Sequence, residues 1–417
     1  MSLNILHTDV LIIGAGPSGA VAAGILCRGE HKRDVLVLER GTFPRFSIGE
    51  SLLPQSMAYF EEAGMLQAIV ESGFQYKNGA QFSWHGNFSS FDFRDKFSDG
   101  WGTTYQVQRS DFDQVLINEA AKQGADVRFK QEVIRYSYDA DSKKCWVTVK
   151  DCDKDAEYQV CANFVLDASG FARVLPRLLN LESPSGFPTR QAIFTHVEDN
   201  IPPNTFDRNK ILVTVHPEHV DVWFWLIPFS NGRCSVGVVA EQSFLDAMDG
   251  EIEDKLKTLM NEDEYLSRLL AQATWPNPIQ TIVGYSANVK SLIGDGYALL
   301  GNAGEFLDPV FSSGITIAVK SASLAAACLK NEAAGQVVDW SSEYEAALKM
   351  GVNAFRAYVE AWYSGDFQKV VFSPNQQPEV RNMISSILAG YAWDVSNPFV
   401  EKAKHRLNLI RELCQTE

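Results

Sequence analysis

Residues 9–40 hold the pattern that most constrains this chain: DVLIIGAG, then PSGAVAAGILCRG, then, four residues on, DVLVLER. The first and third segments are short apolar runs rich in Val, Ile and Leu, as in strands buried on both faces of a parallel sheet. The small and apolar residues between them predict a helix, so the segments form a strand–helix–strand unit. Gly14, Gly16 and Gly19 make the spacing G-x-G-x-x-G where the first strand gives way to the helix. In such a turn the first glycine lets the chain reverse sharply. The second leaves room for a pyrophosphate against the backbone, and the third lets helix and strand pack closely. The helix N-terminus offers unpaired N–H groups to the phosphates. Glu39 ends the second strand, placed to accept from a ribose 2′-hydroxyl. These features together predict a bound dinucleotide.

A chain of 417 residues exceeds a single small core and predicts two or three lobes. Residues 109–123 predict a helix, ADVRFKQEVIRYSYD and CWVTVK predict strands, and ANFVLDASG predicts a strand ending in a loop. Between about 185 and 285 the alternating stretches ILVTVHPEHVDVWFWLIP and CSVGVVAEQ predict an antiparallel sheet. YALLGNAGEFLDPVFSSGITIAVKSASLAAACLK returns to strand, loop and helix, and the remainder has helical periodicity with aromatic-rich segments. The expected class is α/β (α+β). A discontinuous, Rossmann-like three-layer nucleotide domain would take residues 1–80, 105–180 and 285–335. An antiparallel-sheet substrate domain would take 81–104 and 181–284, and a C-terminal helical region 336–417.

The net charge of −15 argues against partners that need a basic surface, such as nucleic acid or anionic lipid. The seven cysteines are scattered without C-x-x-C spacing, which predicts reduced thiols and a cytoplasmic setting. The isolated histidines predict no metal site. No apolar run is long enough to span a membrane, and the start lacks the pattern of a signal peptide.

Later segments distinguish FAD from NAD. GNAGEFLDPVFSSG (301–314) follows a strand and opens a long helix, and it resembles the second FAD-contact motif of p-hydroxybenzoate-hydroxylase-type flavoproteins. VQRSDFDQVLINEA resembles their R-x-x-F-D-x-x-L helix, whose arginine here is Arg109, and VLDASG resembles their D-x-x-G loop, with Asp167. The resemblance implies FAD. The implied contacts are Gly14, Gly16, Pro17, Ser18, Gly19, Glu39 and Arg40 from the first unit and Arg109 and Asp167 from the middle. The last segment would add Gly301, Asn302, Pro309, Gly314 and Ile315. Asn302 departs from the family's usual aspartate; an amide still hydrogen-bonds a ribityl hydroxyl but carries no charge.

Within that superfamily the chain resembles the flavin-dependent halogenases. WFWLIP (223–228) fits their W-x-W-x-I-P motif, IGESLLP (48–54) is similar to their segment after the second strand, and YKNGAQF places Lys77 at their catalytic lysine. DPVFSSG is similar to their halide loop, which implies a halide on the Ser313 and Gly314 amides at the start of a helix. The resemblance implies that reduced FAD, O2 and halide give hypohalous acid, which a lysine in a dry passage delivers to an electron-rich carbon. Burial lowers a lysine pKa, so a neutral amine fits that role. Trp223 and Trp225 share one strand face and would wall the substrate from the flavin. Phe311 stands where halogenases of free tryptophan keep a glutamate, which leans towards phenolic or pyrrolic substrates, with a carrier protein as one means of presentation. A separate flavin reductase is the implied electron source.

Plainer readings exist for each feature. A lysine among aromatic residues is commonly a surface side chain lying along apolar neighbours. The tryptophans can be core, Ser312 and Ser313 helix caps, and Glu50 and Glu305 structural rather than bases. The same fold also serves an FAD-dependent dehydrogenase or reductase related to geranylgeranyl reductases, an aromatic hydroxylase, or a flavin-binding protein without turnover.

Overall fold

The computed structural model describes residues 5–374 and 376–415. Strand Ile5–Ile13 lies between Ala156–Asp167 and Val35–Glu39, parallel to both; Tyr297–Leu299 and Asp126–Phe129 extend the parallel layer on either side. Val10, Leu11, Ile12 and Val35–Leu38 are buried on both faces, as their unbroken apolar runs demand. The register aligns Ile13 with Leu38 and Asp167, and Asp167 with Leu299. The carboxyl ends of four parallel strands therefore share one edge, where open α/β sheets bind ligands. Helices Pro17–Leu26, Arg109–Lys122 and Ser313–Ala333 pack together on this layer. On its other side Ala156–Asp167 pairs antiparallel with Lys144–Asp151, which pairs with Gln131–Asp139.

A second, seven-stranded sheet runs Gln280–Val283, Arg190–Glu198, Arg233–Glu241, Trp223–Pro228, Lys210–Val215, Gly79–Trp84, Asn87–Asp92. It is antiparallel except where Lys210–Val215 meets Gly79–Trp84. Its two faces follow the period of two. Trp223, Trp225 and Ile227 join the main core, whereas Phe224 and Leu226 pack with Val236 and Val238 under helices Ile252–Glu262 and Glu264–Leu269. The C-terminal helices include Ala347–Tyr363, Asp366–Val371 and Pro378–Leu388, and they bury Phe355, Tyr358, Trp362 and Phe367 against the same core. Among the described residues no helix is long and apolar enough to cross a membrane, and no cluster of His, Cys, Asp or Glu is placed to hold a metal.

Candidate active site

A cavity of about 450 Å³ opens along the aligned strand ends. Gly14 adopts φ +98°, and a Cβ there would stand 2.7 Å from the Ala168 carbonyl oxygen, so only glycine permits this crossing. At Gly19 a Cβ would stand 2.0 Å from the Gly14 carbonyl oxygen, so helix and strand touch backbone to backbone. Gly16 differs: its φ is an ordinary −69°, and a Cβ would meet only Arg45, at 3.7 Å. Its missing side chain leaves space in the cavity rather than relieving strain. Helix Pro17–Leu26 has no side-chain cap and no acid in its first turn, so its N–H groups face the cavity uncompensated. The Glu39 carboxylate accepts from Ala15 N at 3.0 Å and Gly41 N at 2.8 Å and lies on the cavity wall. A glycine cradle, an uncapped helix start and a backbone-held carboxylate fit the pyrophosphate and ribose of FAD.

Pro17, Ser18 and Arg40 also line the cavity, as do Arg109, Asn302, Pro309, Gly314 and Ile315. Arg109 is largely committed elsewhere: it pairs with Asp113 through Nε at 2.7 Å and Nη2 at 2.8 Å, and donates to the Ile48 carbonyl at 2.6 Å. Gly19, Asp167 and Gly301 stand behind the wall. The fully buried Asp167 carboxylate accepts from Ser169 N and Leu175 N and shapes the following loop, while burial raises its pKa. Gly301 packs on Ala318 at the same close range that excludes a side chain. Ile48, the first residue of the IGESLLP segment, also lines the cavity, and Arg45, Ser47 and Tyr285 do so without having been singled out in the sequence. Arg45 had a signal, as a cation soon after the second strand; Tyr285 had none.

Lys77 is fully buried, which excludes the surface reading. It ends the short strand Gln75–Lys77, paired with Thr104–Gln106, and Gln106 in turn bridges to Ser51. Its Nζ donates to Ser51 Oγ and to the Leu52 carbonyl, each at 2.7 Å, and stands 5.4 Å from the centre of the Phe93 ring. No carboxylate pairs with it among the described residues. Burial alone lowers its pKa to about 7. A neutral amine has two N–H groups; both hydrogen bonds can then be kept while the lone pair remains for an electrophile. Lys77 is not on the cavity wall, but Ser51 and Leu52, which hold it, lie one residue beyond Ile48 and Gly49, which are. The buried Glu50 carboxylate lies between them in sequence and is 2.6 Å from His196 Nε2.

Trp223 and Trp225 stand side by side on one sheet face, ring centres 5.9 Å apart, and neither lines the cavity. Trp225 Nε1 donates to Ser235 Oγ at 3.0 Å, and its ring fills the space above Gly237. Ser313 and Gly314 begin helix Ser313–Ala333 with no side-chain cap; Ser312 precedes them at φ +55°. Gly314 lines the cavity, while the Ser313 side chain is buried behind it. Glu305 forms an ion pair with Arg356. Phe311 is buried edge-on to Tyr358, Trp362 and Phe367.

The parallel layer, glycine turn and cavity define an FAD-binding flavoprotein, and residues 7–336 match the family model described as FAD binding domain. The chain is 31% identical over 393 residues to the 1H-pyrrole-2-carbonyl-(peptidyl-carrier protein) brominase of Pseudoalteromonas luteoviolacea, covering 93% of this chain and 92% of that protein. Among solved structures, a flavoprotein/dehydrogenase from Cytophaga hutchinsonii is 39% identical with a TM-score of 0.93, covering 99% of each chain. The flavin-dependent brominase Bmp2 is 26% identical with a TM-score of 0.81, covering 99% of this chain and 100% of that one. The chain belongs to the flavin-dependent halogenase family. It is an FAD-dependent oxidoreductase of halogenase-like type.

Proposed function

We propose that the protein halogenates an electron-rich pyrrole or phenol, with Lys77 as the residue that handles the oxidised halogen. The buried, carboxylate-free amine of Lys77 carries this reading. Bound FAD, reduced by a separate flavin reductase, supplies the oxygen chemistry that converts halide to hypohalous acid. The uncapped amides of Ser313 and Gly314 would hold the halide. The Lys77 lone pair either accepts the hydrogen bond of hypohalous acid or takes the halogen with release of water. Exclusion of solvent then keeps the oxidant for the substrate. Trp223 and Trp225, buried in the main core on one sheet face, would wall the substrate from the flavin. The name of the Pseudoalteromonas relative supports a pyrrolic group presented on a carrier protein, and the apolar Phe311 is compatible with a neutral aromatic ring. The division into a cofactor lobe, a sheet lobe that would carry the substrate, and a helical region follows the same reading. The six scattered cysteines among the described side chains are unpaired, which supports a cytoplasmic setting.

The test supplies FAD, a flavin reductase, NADH, O2 and bromide or chloride. Phenol, pyrrole and a pyrrole-2-carbonyl carrier thioester serve as acceptors, with products read by mass. Halogenated product that requires the reductase supports the proposal. The similarity to a flavoprotein/dehydrogenase favours one second reading, direct oxidation or reduction of a substrate without halide. Substrate-dependent flavin reduction without any halogenated product would establish that reading instead.

A further inference from the structure

The carboxylate of Asp308 is fully buried at the junction of three parts of the fold. Its Oδ2 accepts from Tyr363 Oη at 2.7 Å, from the C-terminal helix Ala347–Tyr363, and from Tyr285 Oη at 3.3 Å. Its Oδ1 accepts from Val310 N at 3.0 Å. Tyr363 Oη also accepts from Trp223 Nε1 at 3.0 Å. The Arg190 guanidinium lies 3.4 Å from the centre of the Tyr363 ring. Arg190 also forms ion pairs with Asp221 and Glu241, at 3.8 and 3.7 Å. Among the described residues, Tyr363, Tyr285 and Arg190 are the ionisable groups that act most on Asp308. Of the two hydroxyls bonded to the carboxylate, only Tyr285 belongs to a residue on the wall of the FAD cavity; Tyr363 lies behind it.

A buried carboxylate bonded to the hydroxyl of a residue on the wall of a redox-cofactor cavity can store and pass a proton. Burial raises the Asp308 pKa to about 6, against the hydroxyl and amide donors and Arg190, which lower it. We infer that Asp308 and Tyr285 form a proton relay into the FAD cavity. In the loaded form Asp308 carries the proton and donates to Tyr285 Oη. Tyr285 gives its own hydroxyl proton to an oxygen or nitrogen acceptor in the cavity and takes the Asp308 proton in exchange, leaving a carboxylate and a neutral tyrosine. No electron moves and no other reactant is needed. The relay depends on FAD binding and not on which substrate is transformed.

The experiment uses purified holoenzyme without substrate or halide. One arm records the visible spectrum of bound oxidised FAD from pH 5 to 8. The other records stopped-flow reoxidation of reduced holoenzyme by O2 in H2O and D2O. The wild type should show a spectral inflection near pH 6, with reoxidation slowing above it and slower in D2O. Asp308→Asn should remove the inflection from both readouts. Tyr285→Phe should keep the spectral inflection, moved to higher pH by loss of its own bond to the carboxylate, slow reoxidation about 100-fold below pH 6 and remove its pH dependence. Tyr363→Phe deletes a donor to the carboxylate form, so its inflection should move to higher pH but persist. Identical pH curves in wild type and a folded, FAD-loaded Asp308→Asn would overturn the relay, as would Tyr285→Phe reoxidising like wild type.

Discussion

The indole N–H of Trp223 donates to the hydroxyl of Tyr363 across 3.0 Å, tying the central strand Trp223–Pro228 to the end of helix Ala347–Tyr363. Tyr363 passes that tie to Asp308 in the loop before Ser313. The tryptophan is thus held in orientation as well as buried, as the proposed wall between substrate and cofactor would require. Replacing both Trp223 and Trp225 with Ala should raise peroxide release or hydroxylated product relative to halogenated product. The double change also removes buried rings worth on the order of 3–5 kcal/mol each, so a melting curve must show a folded protein. Trp223→Phe keeps an aromatic ring but loses the hydrogen bond and the volume of the indole's second ring, at a cost of about 1–3 kcal/mol. An unchanged product ratio in a folded double variant would leave the pair as core alone.

Lys77→Ala should retain FAD and O2-driven reoxidation yet lose at least 100-fold in halogenated product, because the amine acts only on the oxidised halogen. Lys77→Arg should fail as well, since a guanidinium stays protonated and offers no lone pair. Product formation by wild type should rise as pH passes about 7, where the amine becomes neutral. Equal halogenation by Lys77→Ala would remove the lysine from the mechanism.

The same burial has a stability signature. The folded pKa of Lys77 is lowered to about 7, so the unfolded chain holds the proton more tightly. The resulting penalty is fully present below pH 7 and fades as pH rises towards 10.5. Lys77→Met should therefore be more stable than wild type at pH 6, with the advantage shrinking by on the order of 2–3 kcal/mol by pH 9. Denaturant titrations at the two pH values measure it. A constant difference would mean that the lysine is not desolvated.

Gly16 and Gly19 should fail differently. Gly16→Val places its side chain in open cavity at an ordinary φ, so FAD binding should be lost while the apoprotein melts within a few degrees of wild type. Gly19→Ala drives a Cβ into the Gly14 carbonyl, so both FAD binding and apoprotein stability should fall. Flavin absorbance of the purified variants and apoprotein melting curves distinguish the two.

Glu50 holds the segment that cradles Lys77. Glu50→Ala should cost about 1–3 kcal/mol, because it removes the partner of the mostly buried His196, whereas Glu50→Gln should recover much of that. Chemical denaturation of the two variants gives the comparison. Equal losses would mean that packing, and not the hydrogen bond, sets the contribution.

The local rules of the sequence determined the cofactor half of this protein. The glycine turn, Glu39, the apolar strands and the alternating faces of Trp223–Pro228 are all short-range patterns, and the structure shows the geometry that they require. A resemblance pointed to Lys77, but nothing in YKNGAQF states whether its side chain meets water. That was decided by Ser51, Leu52 and Phe93, brought around it from elsewhere in the chain. The Asp308 junction was out of reach for the same reason. Tyr285, Tyr363 and Trp223 are 23 to 140 residues from the partners they bond. Periodicity reports which face of an element is buried, whereas the partner of a buried polar group depends on which elements close over it. Only the packed tertiary structure specifies that closure.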